Sequence, residues 1–241
     1  MSSTIYIDTA AQAALARRIE SLANNIANAN TVGFRADGLK FDTIVSASGG
    51  ANVSFPQAGR DFISTASGPV QRTGNSLDLA VRGNAWFSLM SPDGPVYTRD
   101  GRMELAKTGE LRSVNGYPVL DVSGAPMFAD ASAGELSIAA DGTITQNSKQ
   151  IGAIGLFTID PGARLSRYDN SSVLPDGPVT PSLDFATTGV LQGRLEQSNV
   201  EPIRELTRLI EVQRAFDRIT AAMDLSDSTQ QDAIRTLGSS T

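Results

Sequence analysis

The chain has 241 residues, a formal net charge of −6 at pH 7, and neither Cys nor His. Without these two residue types the chain has no disulfides, no thiolate or imidazole metal ligands, no Cys nucleophile and no Ser-His-Asp triad. The small acidic excess also argues against nucleic-acid binding, which needs a basic face. We therefore expect no metal, no cofactor and no nucleic-acid partner, and any catalysis would depend on carboxylates, Lys, Tyr or Ser.

Gly and Pro divide the chain into three zones. Residues 1–30 contain neither, whereas residues 31–197 contain 21 of the 22 Gly and 10 of the 11 Pro. Because both residue types mark turns and weaken helix interiors, we predict a helix at each end and β structure between them. No apolar run approaches the ~18 residues of a membrane helix. Residues 1–8 lack the basic start of a secretory signal, so we expect neither membrane insertion nor a cleaved signal peptide.

The first zone is typical of an amphipathic helix, predicted over residues 4–30. Its large apolar residues recur at steps of four, three and four, which places them on one stripe. These residues are Leu15, Ile19, Leu22 and Ile26. Asn28 and Gly33 are among the residues expected to end the helix, since Asn and Gly commonly take the left-handed position after a helix.

The segment 31–67 is rich in Ser, Gly and Ala and is too long for an idle loop in a compact domain. It contains four isolated aromatic residues, Phe34, Phe41, Phe55 and Phe62. We interpret it as an extended linker whose aromatic side chains dock on a neighbouring surface, and we expect Phe34, Phe41 and Phe62 to be buried. The alternative is a flexible tether.

The middle zone has the pattern of an antiparallel β domain. Asp-Gly pairs at 93–94, 100–101, 141–142 and 176–177 predict turns between short apolar runs. Candidate strands cover residues 77–81, 86–90, 96–99, 103–106, 118–122, 136–139, 143–146 and 155–159. Short strands at this spacing favour a sandwich or a barrel-like domain.

The last zone predicts a second amphipathic helix. Residues 198–201 fit a capping box, with Pro202 in the first turn. One apolar stripe consists of Leu209, Val212, Phe216, Ile219 and Met223, and it is widened at its start by Ile203, Leu206 and Ile210. Because a narrow apolar stripe needs a partner, we expect the two terminal helices to pair as a coiled coil. The alternative is that each stripe joins an ordinary globular core.

These zones predict an α+β fold in which a discontinuous coiled-coil domain contains an inserted, mainly antiparallel β domain. The boundaries are an N-terminal helix at 1–30, a linker at 31–67, a β-rich domain at 68–190 and a C-terminal helix at 191–241.

Two sets of charged residues were weighed as chemical sites. A glycosidase-type carboxylate pair could be drawn from Asp78, Asp93, Asp100, Glu104 and Glu110. Acidic residues beside Gly in hairpins usually form turns, so we favour that interpretation. An acidic ligand could bind Arg82, Arg99, Arg102 and Arg112, but solvated or interface pairing is favoured. No catalytic residue is assigned.

Three blocks of sequence resemble the flagellar rod and hook family. The first is residues 23–34, Ala-Asn-Asn-Ile-Ala-Asn-Ala-Asn-Thr-Val-Gly-Phe, with Ile26 where the family usually has Leu. The second runs from Leu77 through Trp86-Phe87 to Tyr97-Thr98-Arg99-Asp100-Gly101. The third is residues 193–200 together with residues 213–216, Gln-Arg-Ala-Phe. The short length, Trp86-Phe87 and residues 136–144 resemble proximal-rod members most, and distal-rod or hook-type members are the alternative.

The resemblance implies a non-enzymatic structural subunit of the flagellar basal-body rod, which assembles with copies of itself and with neighbouring proximal and distal rod proteins. It also implies export through the flagellar type III apparatus, without a cleaved signal, to a periplasmic rod that transmits torque. A carboxylate-dependent hydrolase and a monomeric adaptor are the competing functions. The residues expected at the assembly interface are Leu15, Ile19, Leu22, Asn25, Ile26, Asn28, Gly33, Phe34, Ile203, Leu206, Leu209, Ile210, Val212, Arg214, Phe216, Ile219 and Met223.

Overall fold

A computed structural model of the chain describes residues 2–48 and 51–238. Helix α1 (Ser2–Ala27) and helix α2 (Pro202–Gly238) lie at the two ends, with a mainly antiparallel β region between them. The predicted α+β class is therefore confirmed, while the coiled-coil geometry of the helices stays a prediction. Neither helix has a stretch long and apolar enough to cross a membrane among the residues described.

The strands between the helices are short, apart from the first two. They are β1 (Asp37–Ser48), β2 (Ala51–Ile63), β3 (Val70–Arg72), β4 (Leu79–Arg82), β5 (Trp86–Ser91), β6 (Gly94–Thr98), β7 (Met103–Leu105), β8 (Leu111–Ser113), β9 (Leu136–Ile138), β10 (Thr143–Gln146), β11 (Lys149–Ala153), β12 (Leu156–Ile159), β13 (Leu165–Arg167), β14 (Ser172–Pro175), β15 (Val179–Pro181), β16 (Gly189–Gln192) and β17 (Arg194–Glu196). Seven of the eight predicted strands are present within a few residues. Residues 118–122 instead make isolated bridges, including Leu89 with Val119.

The chain divides into two compact units. The terminal unit consists of the residues up to Ala27, Asp37–Phe62 and the residues from Glu201 onward. The β-rich unit consists of Asn28–Ala36 and Ile63–Val200. The segment 31–67, expected to be an extended linker, therefore contributes to both units, and β1 and β2 pair within it as a two-stranded sheet.

In the terminal unit, α1 packs against α2 and also contacts β1. The α2 stripe predicted to meet α1 is buried at Val212 and half-buried at Leu209, Phe216, Ile219 and Met223. On α1, Leu22 is buried, while Leu15, Ile19 and Ile26 are half-buried. A hydrogen bond of 2.9 Å from Gln12 Nε2 to Thr220 Oγ1 also joins the helices. The helical periodicity thus identified the face of each helix that is shielded from solvent.

The β-rich unit is organised around a six-stranded sheet with the order β13-β14-β6-β5-β12-β15. Its neighbouring strands are antiparallel. Successive side chains of a strand point to opposite faces, and β5 shows the consequence. Phe87 and Leu89 enter the larger hydrophobic core, and Trp86 enters a smaller one with Ile159 and Val173.

The start of α2 corrects the predicted capping box. Because the helix begins at Pro202, Ser198 lies too far upstream to cap it. The Ser198 hydroxyl instead accepts a hydrogen bond of 3.2 Å from the amide of Val200, which fixes the turn before the helix. Residues 191–200, which the sequence groups with the C-terminal helix, contain β17 and belong to the β-rich unit because β17 pairs with β3.

Candidate assembly interface

Asn25 connects three elements of the terminal unit. Its buried side-chain amide donates to the carbonyl of Asp37 at 2.9 Å and to Glu205 Oε2 at 3.2 Å. Its Oδ1 accepts from the amide of Asp37 at 2.8 Å. The neighbouring Asn24 donates to Asp37 Oδ2 at 2.6 Å. The paired Asn residues near the end of α1 therefore hold the start of β1, and Asn25 also binds α2.

Glu205 completes this polar contact. Its carboxylate is buried and accepts from Arg208 Nη1 at 2.7 Å as well as from Asn25. Glu205 and Arg208 are three positions apart on α2, a spacing that brings opposite charges together. The hydrogen bond to Asn25 joins residues 180 positions apart, which local spacing does not reveal.

A second face of α2 exposes large apolar side chains. Ile203 is 82% exposed, Leu206 46% and Ile210 50%, and we call these three residues the α2 apolar patch. At ~100° per residue, Ile203 and Ile210 lie within ~20° of each other, whereas Val212 lies ~180° from Ile203. Leu225, 68% exposed, lies ~40° from Ile203 on the same side. The patch thus faces away from the stripe that α1 covers.

The end of the first sequence block lies in the β-rich unit. Gly33 has a positive φ of 69°, and its amide donates to the carbonyl of Glu196 at 2.8 Å. A Cβ at Gly33 would lie 2.2 Å from the amide nitrogen of Asp100. Phe34 is fully buried, with the guanidinium of Arg167 4.3 Å from the centre of its ring. Position 33 therefore requires a residue without a side chain, and position 34 requires a large aromatic ring.

A buried ion cluster joins the second and third blocks to the residue that follows the first, and we call Arg35, Arg99 and Glu196 the Arg–Glu cluster. Glu196 Oε1 lies 2.8 Å from Arg35 Nη2, and its Oε2 lies 3.0 Å from Arg99 Nη1. Each of the three side chains is about 1% exposed. Both guanidinium groups lie over Trp86, at 5.7 and 5.3 Å from the ring centre. One carboxylate and one aromatic ring therefore stabilise two buried cations.

Backbone groups on several segments also bind the cluster, although the Nε atoms of Arg35 and Arg99 have no hydrogen-bond partner among the residues described. Arg35 donates to the carbonyl of Ala66 at 2.6 Å, and Arg99 donates to that of Gly83 at 2.7 Å. The amide of Gly68 donates to Glu196 Oε1 at 2.8 Å. Burial lowers the pKa of Arg35 and that of Arg99, the latter to about 10, and the charge of Glu196 opposes the shift. With a pKa of about 10, Arg99 remains charged at neutral pH.

Asn199 makes a second set of bridges beside the cluster. Its Oδ1 accepts from the amide of Ala36 at 2.7 Å, and its Nδ2 donates to the carbonyl of Ala66 at 2.8 Å and to Ser64 Oγ at 3.2 Å. Its backbone amide donates to the carbonyl of Phe34 at 3.3 Å. The third block therefore touches the first block and the segment that follows β2.

Comparison with known proteins gives the same three regions. Residues 5–35 match the model for "Flagella basal body rod protein", residues 80–146 the "Flagellar hook protein FlgE/F/G D1 domain", and residues 191–236 the "Flagellar basal body rod FlgEFG protein C-terminal". The flagellar basal-body rod protein FlgF of Mesorhizobium japonicum is 46% identical over 239 residues, which cover 99% of both chains. The chain belongs to the flagellar basal-body rod protein family.

Other relatives agree. FlgF of Rhizobium meliloti is 47% identical over the whole of both chains. The rod protein FlgG of Bacillus subtilis is 30% identical over 90% of this chain and 92% of its own. The family resemblance predicted from the sequence is therefore confirmed. The chain is a structural protein of the flagellar basal-body rod and not an enzyme, and membership of the family implies assembly with copies of itself and with other rod components.

The structure divides the predicted interface residues of this rod subunit between the two units. Asn28, Gly33 and Phe34 belong to the β-rich unit, and the other fourteen to the terminal unit. Ile203, Leu206, Ile210 and Arg214 are exposed, and the remaining α2 residues lie on the shielded stripe. Their role in assembly stays a prediction.

Neither the residues of the Arg–Glu cluster nor Asn199 were among the predicted interface residues. Arg99, Glu196 and Asn199 stand inside the blocks that carry the family resemblance, and Arg35 directly follows the first block. For Arg35, the position directly after Gly33-Phe34 was the signal in the sequence that could have identified it. Their partners lie up to 163 positions away, so only the folded chain shows what they bind.

The aromatic residues of 31–67 have different environments. Phe34 is buried as predicted, whereas Phe62 is partly exposed, with its ring against the backbone of Gly38 and Lys40 Nζ 5.3 Å from the ring centre. The side chains of Phe41 and Phe55 lie outside the described residues.

Several of the charged residues considered for catalysis have a partner within the β-rich unit. Asp100 binds Arg102 at 2.6 Å, Glu110 binds Arg112 at 2.6 Å, and Asp93 accepts from the Tyr168 hydroxyl at 3.0 Å. The hydrogen bond to Asp100 raises the pKa of Arg102. The interpretation favoured from the sequence was turn formation for the acidic residues and solvated or interface pairing for the Arg residues. The structure pairs Asp100 with Arg102 and Glu110 with Arg112 within the chain.

Proposed function

We propose that the chain is a subunit of the proximal rod, which self-assembles through its terminal helices into the torque-transmitting shaft. The α2 apolar patch is the observation that carries this proposal. Burying a large aliphatic side chain contributes ~1.5–3 kcal/mol, and the patch contains three such side chains that are 46–82% exposed. A rod subunit that packs against other subunits would cover this surface.

In this proposal the helix pair forms a coiled coil whose uncovered faces are completed by neighbouring subunits. The shielded stripe holds α1 and α2 together, and the patch on the far side of α2 binds the next subunit. Two opposed apolar faces on one helix suit a close-packed tube, because each helix needs a partner on both sides. Close packing resists deformation, which a shaft under torque requires.

The proximal position has narrower support. Identity to the FlgF proteins of two rhizobia is 46–47%, against 30% to the FlgG of B. subtilis. A distal-rod or hook-type role is the alternative. Complementation separates them, because we expect this chain to restore swimming to a strain that lacks FlgF but not to one that lacks FlgG.

We further propose that the subunit reaches a periplasmic rod through the flagellar type III export apparatus, without a cleaved signal and without membrane insertion. The support is its membership of the rod family. Retention of the subunit inside cells whose flagellar export is blocked would agree with this route.

The Ile210→Asp substitution tests the assembly surface. It places a charge in the patch and not in the shielded stripe. We therefore expect the purified chain to keep its helical circular dichroism, with a free energy of unfolding within about 0.5 kcal/mol of that of the parent chain. In cells it should abolish rod incorporation and swimming. The matched control is Ile210→Leu, which keeps the patch apolar and should support swimming. Normal swimming with Ile210→Asp would contradict the proposal.

A further inference from the structure

The chain passes between its two units four times, and the β-rich unit gathers the segments involved. The passages follow Ala27, Ala36, Phe62 and Val200. Within the β-rich unit, three short segments lead to these passages, and we call them the connecting segments. They are residues 28–36, 63–68 and 196–200. Force that passes along the chain from one unit to the other runs through these segments.

Glu196 contacts all three segments and an additional turn. Its backbone carbonyl accepts from the amide of Gly33, its Oε1 accepts from the amide of Gly68 and pairs with Arg35, and its Oε2 pairs with Arg99. The carboxylate thus neutralises charge from the first segment and holds the second through a backbone amide. Its own segment is anchored by the pairing of β17 with β3, in which Glu196 lies opposite Val70.

Asn199 joins the same three segments closer to the passages. It binds Ala36 and Phe34 on the first segment and Ser64 and Ala66 on the second. The two segments are also bonded to each other, because the amide of Ser64 donates to the carbonyl of Ala36 at 2.8 Å. Every contact in this set lies inside the β-rich unit.

We infer that Glu196 and Asn199 are positioning residues of the rod subunit, which clamp the three connecting segments into one block. A force that enters along one segment is then shared by the others, since none can move without breaking hydrogen bonds to its neighbours. This inference rests on the proposed function, because a clamp of this kind matters where the subunit carries torque.

Hydrogen exchange of the purified full-length chain tests the clamp without requiring assembly. In Asn199→Ala, the amide of Ala36 loses its direct acceptor. Faster exchange of this amide would therefore not show that the whole block loosens. The informative amides are Ser64 and Gly33, which donate to Ala36 and Glu196 and not to the Asn199 side chain. We expect both to exchange about tenfold faster or more, because the whole block loosens.

The matched control is Gln192→Ala. The side-chain amide of Gln192 also makes three hydrogen bonds in the β-rich unit, to backbone groups of Ser76, Leu136 and Ile138. None of these residues belongs to a connecting segment. Its removal should leave the exchange of Ser64 and Gly33 unchanged. Unchanged exchange of these amides in Asn199→Ala, or an equal increase in Gln192→Ala, would overturn the clamp.

Swimming in media of increasing viscosity provides the second measurement. We expect Asn199→Ala cells to assemble rods but to lose speed more steeply with viscosity than Gln192→Ala cells. Equal losses in the two strains would overturn the force-sharing role. A failure of the proposed function is distinguishable, since it would appear as normal swimming with Ile210→Asp while the exchange experiment could still support the clamp.

Discussion

The side-chain amide of Asn25 makes a reciprocal pair of hydrogen bonds with the backbone of Asp37, accepting from its amide at 2.8 Å and donating to its carbonyl at 2.9 Å. This is the pairing that a neighbouring strand would offer, supplied here by a side chain of α1. The start of β1 is therefore fastened to the helix. The second amide hydrogen reaches Glu205 on α2, so one buried side chain of α1 satisfies groups on two other elements.

We predict that Asn25→Ala lowers the free energy of unfolding of the terminal unit by about 2–3 kcal/mol, because it removes three hydrogen bonds of a buried side chain, two to the backbone of Asp37 and one to Glu205. Denaturation followed by helical circular dichroism measures the change. Asn30→Ala, at an exposed position just after the helix, should change stability by less than about 0.5 kcal/mol. Similar losses in the two variants would show that the paired hydrogen bonds do not matter.

Gly33 offers a test that separates backbone strain from a steric clash. Gly33→Ala should destabilise the β-rich unit by about 3 kcal/mol or more, since it adds a Cβ in contact with the Asp100 backbone to the strain of a positive φ. Gly116 has a positive φ of 81° but nothing within 4 Å of an added Cβ, so Gly116→Ala should cost about 1 kcal/mol from strain alone. Urea denaturation measures both. Equal costs would mean that the Asp100 loop moves aside freely.

Three Asp turns predict how stability depends on acid. Hydrogen bonds from the Ser132 hydroxyl to Asp130, from the Thr143 amide to Asp141, and from the Thr187 hydroxyl to Asp184 lower the pKa of each carboxyl below its ordinary 3.8. A carboxyl with a lowered pKa in the folded state contributes stability above the unfolded value, and this contribution is lost as the pH falls through the folded value. The stability that these three carboxyls contribute should therefore be constant from neutral pH to about 4 and should decline as the pH falls below 3.8.

Urea midpoints between pH 7 and pH 2 check this expectation. The triple substitution of Asp130, Asp141 and Asp184 by Asn keeps a side-chain acceptor in each turn but removes the titration, so its midpoint should fall less steeply below pH 3.8 than that of the parent chain. Parallel curves for the two proteins would contradict the assignment.

The periodicity of the sequence determined both helices and the face of each that is shielded. Steps of three and four residues place Val212 and its neighbours on one stripe because the helix repeats every ~3.6 residues. Alternation and Asp-Gly turns likewise located seven strands within a few residues, since these signals act over two to six positions. Ile203, Leu206 and Ile210 were expected to widen this stripe, whereas their exposure places them on a separate side of α2.

The tertiary structure alone decided which distant groups meet. Arg35, Arg99 and Glu196 are separated by 64 and 97 positions, and nothing in their local spacing shows that two guanidinium groups share one carboxylate over Trp86. The pairing of β17 with β3 likewise moved Glu196 and Asn199 out of the helical segment to which the sequence assigned them. Local propensity reports the conformation of a segment, whereas a buried ion pair depends on the register of strands far apart in the chain. That register is set by which side chains fill the common core, so it is decided only when the whole β-rich unit folds.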